Sequence, residues 1–149
     1  MNRVSQPSHL VDDNFLETAN AMLESAITLH TESQYRQACY LAGYVVECSI
    51  KELLVKAKQA PSELHTHNLN SLMLSAQAIK GRHAKYRKAV SEIFQAATLI
   101  TEKLDGGDTH WDPFYRYDGT RWNDSSVAGT YIAEAQKVKE IFDRFESDF

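Results

Sequence analysis

Apolar residues recur along most of this chain at steps of three and four, which is the spacing of amphipathic helices. This pattern predicts five helices, at residues 13–30, 35–59, 68–79, 84–103 and 125–145. An Asp12-Asp13 pair suits the first N-terminus, Pro61 ends the second helix, and Gly81 ends the third. We therefore expect an all-α, up-and-down bundle of about five helices with almost no strands.

A long segment before the last helix breaks the helical pattern. Residues 104–124 read LDGGDTHWDPFYRYDGTRWND, and a structureless segment of this length is uncommon in a compact domain. The segment is rich in aromatic residues, which are Trp111, Phe114, Tyr115, Tyr117 and Trp122. Because such a composition favours packing over disorder, we expect one long aromatic loop that is ordered against the bundle.

Size and charge limit the class of protein. The chain has 149 residues, 43% hydrophobic and 24% charged, which is typical of one globular domain (1–149), here with a flexible tail at 1–11. The net charge of −4 gives no global basic field for tight non-specific binding to nucleic acid. One local basic cluster contains Arg82, His83, Lys85, Arg87 and Lys88. It is either a solvated helix face or, with Arg116 and Arg121, a binding surface for phosphates.

The cysteines and the apolar runs bear on the location of the protein. Cys39 and Cys48 lie nine residues apart, about 13 Å along one helix, which is too far for a disulfide. We interpret both as core thiols of a cytosolic protein. The N-terminus lacks the apolar core of a signal peptide, and no apolar run approaches the roughly 18 residues of a membrane span. We expect a cytoplasmic protein without a membrane partner.

The second helix carries a polar stripe on an otherwise apolar rod. Residues 40–54 read YLAGYVVECSIKELL, and steps of four, three and four place on one stripe Tyr40, Tyr44, Glu47 and Lys51. An unpaired buried carboxylate costs several kcal/mol, so Glu47 needs a partner. Arg116 is the partner we expect, with Lys51 as an i, i+4 alternative. Gly43 costs about 1 kcal/mol of helix stability and lets a neighbouring helix or loop approach closely.

Three stretches together resemble the HEPN domain (higher eukaryotes and prokaryotes nucleotide-binding). They are YLAGYVVECSIKELL, then HTHNLNSL, then a W-x-x-x-x-R-Y turn at Trp111, Arg116 and Tyr117. The similarity covers roughly residues 13–145. It implies an up-and-down helical bundle, a homodimer, and association with RNA cleavage or with nucleotidyltransferase partners in prokaryotic defence and toxin-antitoxin systems.

The resemblance also bears on catalysis. Catalytic members of the family carry an Arg and, after four to six intervening residues, a His that acts in acid-base cleavage of RNA. The matching Arg is Arg116, and the positions for the His hold Arg121, Trp122 and Asn123. None of these is a general base at neutral pH. His110, six residues before Arg116, is the alternative imidazole in the same loop.

Histidines elsewhere raise the question of a metal. His65 and His67 form an H-T-H triplet that His83 or His110 would have to complete, but no cysteine or acidic ligand has suitable spacing. We therefore expect neither a metal nor a cofactor, and His67 then marks a helix N-terminus beside Asn68.

Two functional hypotheses follow. In the first, the protein is a dimerising, non-catalytic HEPN-like module that binds a partner protein, for example a nucleotidyltransferase, or a nucleotide or RNA-type ligand. Its ligand-binding or structural polar site then contains Glu47, Lys51, Arg116, Tyr117 and Arg121. In the alternative, the protein is a divergent metal-independent ribonuclease that uses Arg116 with His110 or His67.

Overall fold

Five α-helices make up most of the computed structural model, which describes residues 14–57, 66–104 and 108–148. The helices are α1 (Phe15–Thr31), α2 (Tyr35–Lys56), α3 (Leu69–Arg82), α4 (Ala84–Ala96) and α5 (Ser125–Phe145). A 3₁₀ turn spans Pro113–Tyr117, and a second one, Glu146–Asp148, follows α5. Within those ranges the β-structure is an isolated bridge between Lys103 and Thr109. The predicted all-α bundle is confirmed.

No helix in the described ranges is both long enough and apolar enough to cross a membrane. The predicted tail at residues 1–11 lies outside the described residues, as does the Asp12-Asp13 pair. The N-cap of α1 is instead Asn14, whose side chain accepts a hydrogen bond from the backbone N–H of Glu17 at 2.9 Å.

The second helix is the centre of the bundle. α2 packs against α1, α3 and α5, and most of its side chains between Ala38 and Leu54 are buried. Cys39 and Cys48 are among them as free thiols. Burial raises the pKa of each thiol to about 12, so both stay protonated and unreactive at neutral pH.

Helix ends agree with the sequence where local signals set them. α5 spans the predicted residues, with Asp124 as N-cap accepting a hydrogen bond from the N–H of Ser126 at 2.6 Å. α3 was expected to stop at Ile79 but continues through Gly81 to Arg82. The described part of α2 ends at Lys56, and its predicted extension to residue 59 reaches residues that are not described.

The fourth helix ends earlier than predicted because a distant side chain takes its backbone donors. α4 stops at Ala96, not near residue 103. The N–H groups of Leu99 and Ile100 donate to the carboxylate of Glu134 on α5, at 2.9 and 3.0 Å. The chain from residue 97 to 101 therefore turns along α5 instead of continuing as a helix.

The aromatic loop packs against the bundle, as predicted. Its first part runs back along the segment that follows α4, where the N–H of Trp111 donates to the carbonyl of Ile100 at 3.1 Å. Trp111 and Trp122 are buried in the main hydrophobic cluster. Two buried indoles thus hold the loop at both ends of its 3₁₀ turn.

Gly43 receives the first of these indoles. A Cβ atom at position 43 would lie 2.0 Å from Nε1 of Trp111, so only glycine leaves room for the ring. The same Nε1 donates a hydrogen bond to the carbonyl of Tyr40 at 3.2 Å. The close approach that Gly43 was predicted to permit is thus made by the loop, and it fixes the loop on α2.

We predict that Gly43→Ala destabilises the fold by roughly 3–5 kcal/mol, because the indole of Trp111 must leave its buried site. Urea denaturation followed by circular dichroism measures this change. Gly81→Ala is the matched control, since no atom lies within 4 Å of a Cβ added there. Because alanine favours the helix, this control should match or exceed wild-type stability by up to about 1 kcal/mol. Equal losses in both variants would contradict the packing argument.

Candidate functional site

A small pocket opens where the aromatic loop crosses α2, and we call it the aromatic pocket. Its volume is about 220 Å³, and its lining consists of Tyr40, Tyr44, His67, Pro113, Phe114, Arg116 and Tyr117. Three segments thus contribute, namely α2, the residue before the N-cap of α3, and the 3₁₀ turn. The lining combines four aromatic rings with one guanidinium and one imidazole.

The 3₁₀ turn is shaped by its own sequence. Asp112 precedes it, and its side chain accepts a hydrogen bond from the N–H of Phe114 at 2.9 Å. Pro113 occupies the first position, where its missing N–H costs nothing. The turn projects Phe114 and Tyr117 outward, with 77% and 74% of their surface exposed. Two exposed aromatic side chains therefore flank Arg116.

Arg116 is held by phenol groups. Its Nη1 donates to the hydroxyl of Tyr40 and its Nη2 to the hydroxyl of Tyr117, each at 2.6 Å. The guanidinium also lies over both rings, with Cζ 5.2 Å and 4.7 Å from their centroids. The hydrogen bond to Tyr117 raises the pKa of Arg116, which keeps its charge. Among the ion pairs of the described residues, none involves Arg116.

A buried ionic cluster lies beside the pocket. Glu47 is 0% exposed, and its Oε2 lies 3.0 Å from Nζ of Lys51 and 2.9 Å from Nδ1 of His67. The other oxygen, Oε1, has no hydrogen-bond partner among the described residues. Lys51 is itself buried and lies on the Phe15 side of α2, with Nζ 5.8 Å from that ring. The pair thus places two opposite charges inside the bundle.

His67 connects this cluster to the pocket. Its side chain is 56% exposed and lines the pocket, while Nδ1 lies against the Glu47 carboxylate and 3.3 Å from the hydroxyl of Tyr44. The Glu47 carboxylate accepts the hydrogen bond of Nδ1, which leaves Nε2 as the ring nitrogen available to a ligand. No hydrogen bond to Nε2 is made within the described residues. The arrangement can orient an imidazole toward a ligand.

Comparison with known proteins gives one match. The HEPN domain model matches residues 13–144, which is nearly the whole chain. The chain belongs to the HEPN domain family. No curated protein and no solved structure matches it significantly.

None of the residues at the positions expected for the histidine, which are Arg121, Trp122 and Asn123, lines the aromatic pocket. Arg121 donates through Nε to Asp118 at 3.2 Å, and its Cζ lies 3.9 Å from the ring centroid of Tyr115. Trp122 is buried with a φ of 61°, which costs a bulky residue of order 1–3 kcal/mol and is held by packing. Asn123 donates through Nδ2 to the carbonyl of Gly119 at 2.6 Å. All three side chains close the turn that leads into α5.

His110 also lies outside the pocket lining. Its Nδ1 is hydrogen-bonded to the hydroxyl of Tyr131, and its ring packs edge-on against that tyrosine on α5. Burial lowers the pKa of His110 from its usual value, and Arg121 acts in the same direction, while Glu102 and Glu134 oppose them. Burial also raises the pKa of Tyr131, which keeps its proton. His110 therefore acts as a neutral partner of a buried phenol.

The predicted pair of Glu47 with Arg116 is wrong. Arg116 lies over Tyr40, which is seven residues before Glu47 and therefore about 10 Å away along the helix axis. The alternative partner, Lys51, is the one that pairs with Glu47. Of the predicted site residues, Arg116 and Tyr117 line the pocket, Glu47 and Lys51 form the cluster beside it, and Arg121 belongs to the turn.

Three pocket residues carry little signal in the sequence. His67 stands at the start of α3, as predicted, and it is also the second partner that a buried Glu47 requires. Phe114 and Pro113 belong to a loop with five aromatic residues, and the sequence does not distinguish those that are buried from those that line a pocket. Of the candidate metal ligands, His65 lies outside the described residues. Among the described residues, no group of three or more His, Cys, Asp or Glu is arranged to hold an ion.

We predict that Glu47→Ala destabilises the fold by roughly 3–5 kcal/mol, because Lys51 is left buried without its counter-charge. Arg116→Ala should change stability little. A double-mutant cycle under urea should give a large coupling between Glu47 and Lys51 and almost none between Glu47 and Arg116. The reverse order of the two couplings would restore the pair expected from the sequence.

Proposed function

We propose that the protein is a HEPN module that binds a nucleotide or RNA-type ligand in the aromatic pocket without cleaving it efficiently. The observation that carries this proposal is the setting of Arg116. It is a cation at the edge of the pocket, and two neutral phenol groups hold it in place. A guanidinium in such a setting offers its charge and further donors to a phosphate. Arginine held by carboxylates would have that charge already neutralised.

The aromatic side chains support the same ligand class. Phe114 and Tyr117 present exposed rings on either side of Arg116, although exposed aromatic side chains lose the benefit of burial. Stacking of a base on an aromatic ring contributes about 1–3 kcal/mol, and every base has a face that can stack. A phosphate on Arg116 with its base on a neighbouring ring uses both features at once.

The size of the pocket favours a single unpaired nucleotide. A volume of about 220 Å³ lies below the roughly 300–1,000 Å³ of drug-sized ligand pockets. One base or one ribose phosphate suits that space, whereas a duplex does not enter it. Unpaired RNA is also the form in which single bases can turn out toward a protein surface.

Several wider assignments are proposals that follow from family membership. We propose a cytoplasmic homodimer that acts in a defence or toxin-antitoxin setting, with a nucleotidyltransferase-type protein as a further partner. The two free, buried thiols support the cytoplasmic part. A single domain over residues 1–149 is supported by the one continuous hydrophobic cluster.

We predict that Arg116→Gln lowers the affinity for a fluorescein-labelled oligouridylate roughly 10- to 100-fold, because a charge-assisted contact with phosphate is lost. Fluorescence anisotropy measures the affinity. Arg144→Gln is the matched control, since Arg144 is half-exposed and pairs with Glu92 elsewhere on the surface. The proposal is wrong if both variants bind as well as wild type.

A second candidate function, a divergent metal-independent ribonuclease, rests on the orientation of His67. Glu47 holds Nδ1, and the side chain lines the same pocket as Arg116. In this reaction Nε2 takes the proton of a ribose 2′-hydroxyl, the 2′ oxygen attacks phosphorus, and the 5′ oxygen leaves and takes a proton from water. Arg116 stabilises the charge on the phosphoryl oxygens. His110 is less suitable, since Tyr131 occupies its Nδ1.

We predict no cleavage of single-stranded RNA by the purified wild-type protein above the level of the His67→Gln/Arg116→Gln double variant. Gel analysis of a labelled RNA measures the products. Cleavage that falls by about 10²- to 10⁴-fold in His67→Gln but persists in His110→Gln would replace the binding proposal with the ribonuclease. Cleavage that is equal in all variants would indicate a contaminating nuclease.

A further inference from the structure

Charge is distributed unevenly along this acidic chain. Residues 69–91 contain five of its 16 Lys and Arg residues and none of its 20 Asp and Glu residues. The five cations are Lys80, Arg82, Lys85, Arg87 and Lys88. This segment is α3 together with the first part of α4. We call the surface of these five residues and His83 the basic corner.

The fold concentrates these charges at one place. α3 ends at Arg82 and α4 begins at Ala84, so the cations stand on both sides of a single-residue connection at His83. Lys80 is partly exposed, and Arg87 and Lys88 are exposed. The nearest acidic residue along α4 is Glu92, which is engaged by Arg144 at 3.1 Å. The two helix ends at this connection therefore carry cations and no carboxylate of their own, in a protein of charge −4.

α3 connects the basic corner to the aromatic pocket. His67 in the pocket directly precedes Asn68, the N-cap of α3, and the helix reaches the corner 14 residues later. At about 1.5 Å per residue the two sites are about 20 Å apart along the helix axis. The exposed positions between them are uncharged and consist of Ser71, Leu74, Gln77 and Ala78. No carboxylate of α3 repels an anion along this path.

We infer that the basic corner binds the phosphate backbone of a single-stranded RNA, and that a nucleotide about six positions along the same strand occupies the aromatic pocket. The inference rests on the proposed function and narrows its ligand from any nucleotide to a strand. About six nucleotides at the stacked spacing of about 3.4 Å cover the distance between the sites. Lysine and arginine side chains on such a surface neutralise phosphates and release counterions, which makes the binding depend on salt.

The salt dependence of binding tests this inference. Anisotropy titrations with labelled uridylates of 1, 4, 8 and 12 nucleotides, from about 50 to 200 mM NaCl, give the slope of log K against log salt. The triple variant Lys80→Gln/Arg87→Gln/Lys88→Gln should lower the slope for the long strands by about 2, at about 0.7 per lost phosphate contact. Its affinity for the mononucleotide should equal that of wild type.

Lys103→Gln/Lys137→Gln is the control, since both lysines are exposed and lie outside the corner. This variant should keep the wild-type slope. Equal slopes in the triple variant and the control, or stronger competition by polyglutamate than by unlabelled uridylate, overturn the inference. Arg116→Gln reports separately on the proposed function: unchanged mononucleotide binding in that variant removes the pocket, whereas the difference in slope between the triple variant and the control still decides the corner.

Discussion

The contact between Gly43 and the indole of Trp111 determines the geometry on which the rest of the site depends. The ring lies where a side chain at position 43 would stand, and its Nε1 is bound to the carbonyl of Tyr40. The 3₁₀ turn begins two residues after Trp111, so the guanidinium of Arg116 lies over Tyr40, in the same turn of α2. A residue that weakens the helix by about 1 kcal/mol thus defines where the loop meets it.

The Glu47 cluster is a second constraint, about one helical turn after Gly43 on α2. Its carboxylate is fully buried, and one oxygen serves both Lys51 and His67. Buried ion pairs rarely add net stability, because desolvation of both charges offsets their attraction. Here the pair fixes the direction of an imidazole that faces the pocket. Tyr44 lies between Trp111 and the Glu47 cluster. Its ring centroid is 6.0 Å from that of Trp111 and 5.9 Å from that of His67.

Sequence periodicity predicted the fold because each helix buries its own apolar stripe, and local capping set the start of α5. The end of α4 was not predictable in this way, since Glu134 stands 35 residues from Leu99. The same limit applies to the site. The sequence indicated that Glu47 needs partners and that Arg116 belongs to an ordered loop. The position at which the loop contacts α2 depends on the indole of Trp111. Arg116 contacts Tyr40, which is seven residues before Glu47 on that helix.

Loss of the family histidine is a property of the whole turn between the pocket and α5. Trp122 is buried at positive φ, Arg121 is bound to Asp118 and stacked on Tyr115, and Asn123 closes the turn on a backbone carbonyl. These side chains stabilise a conformation in which none lines the aromatic pocket. Among the described residues, an imidazole therefore reaches the pocket only from the start of α3. Both proposed functions place a phosphate on Arg116, so the proton chemistry of His67 is what separates the two proposals.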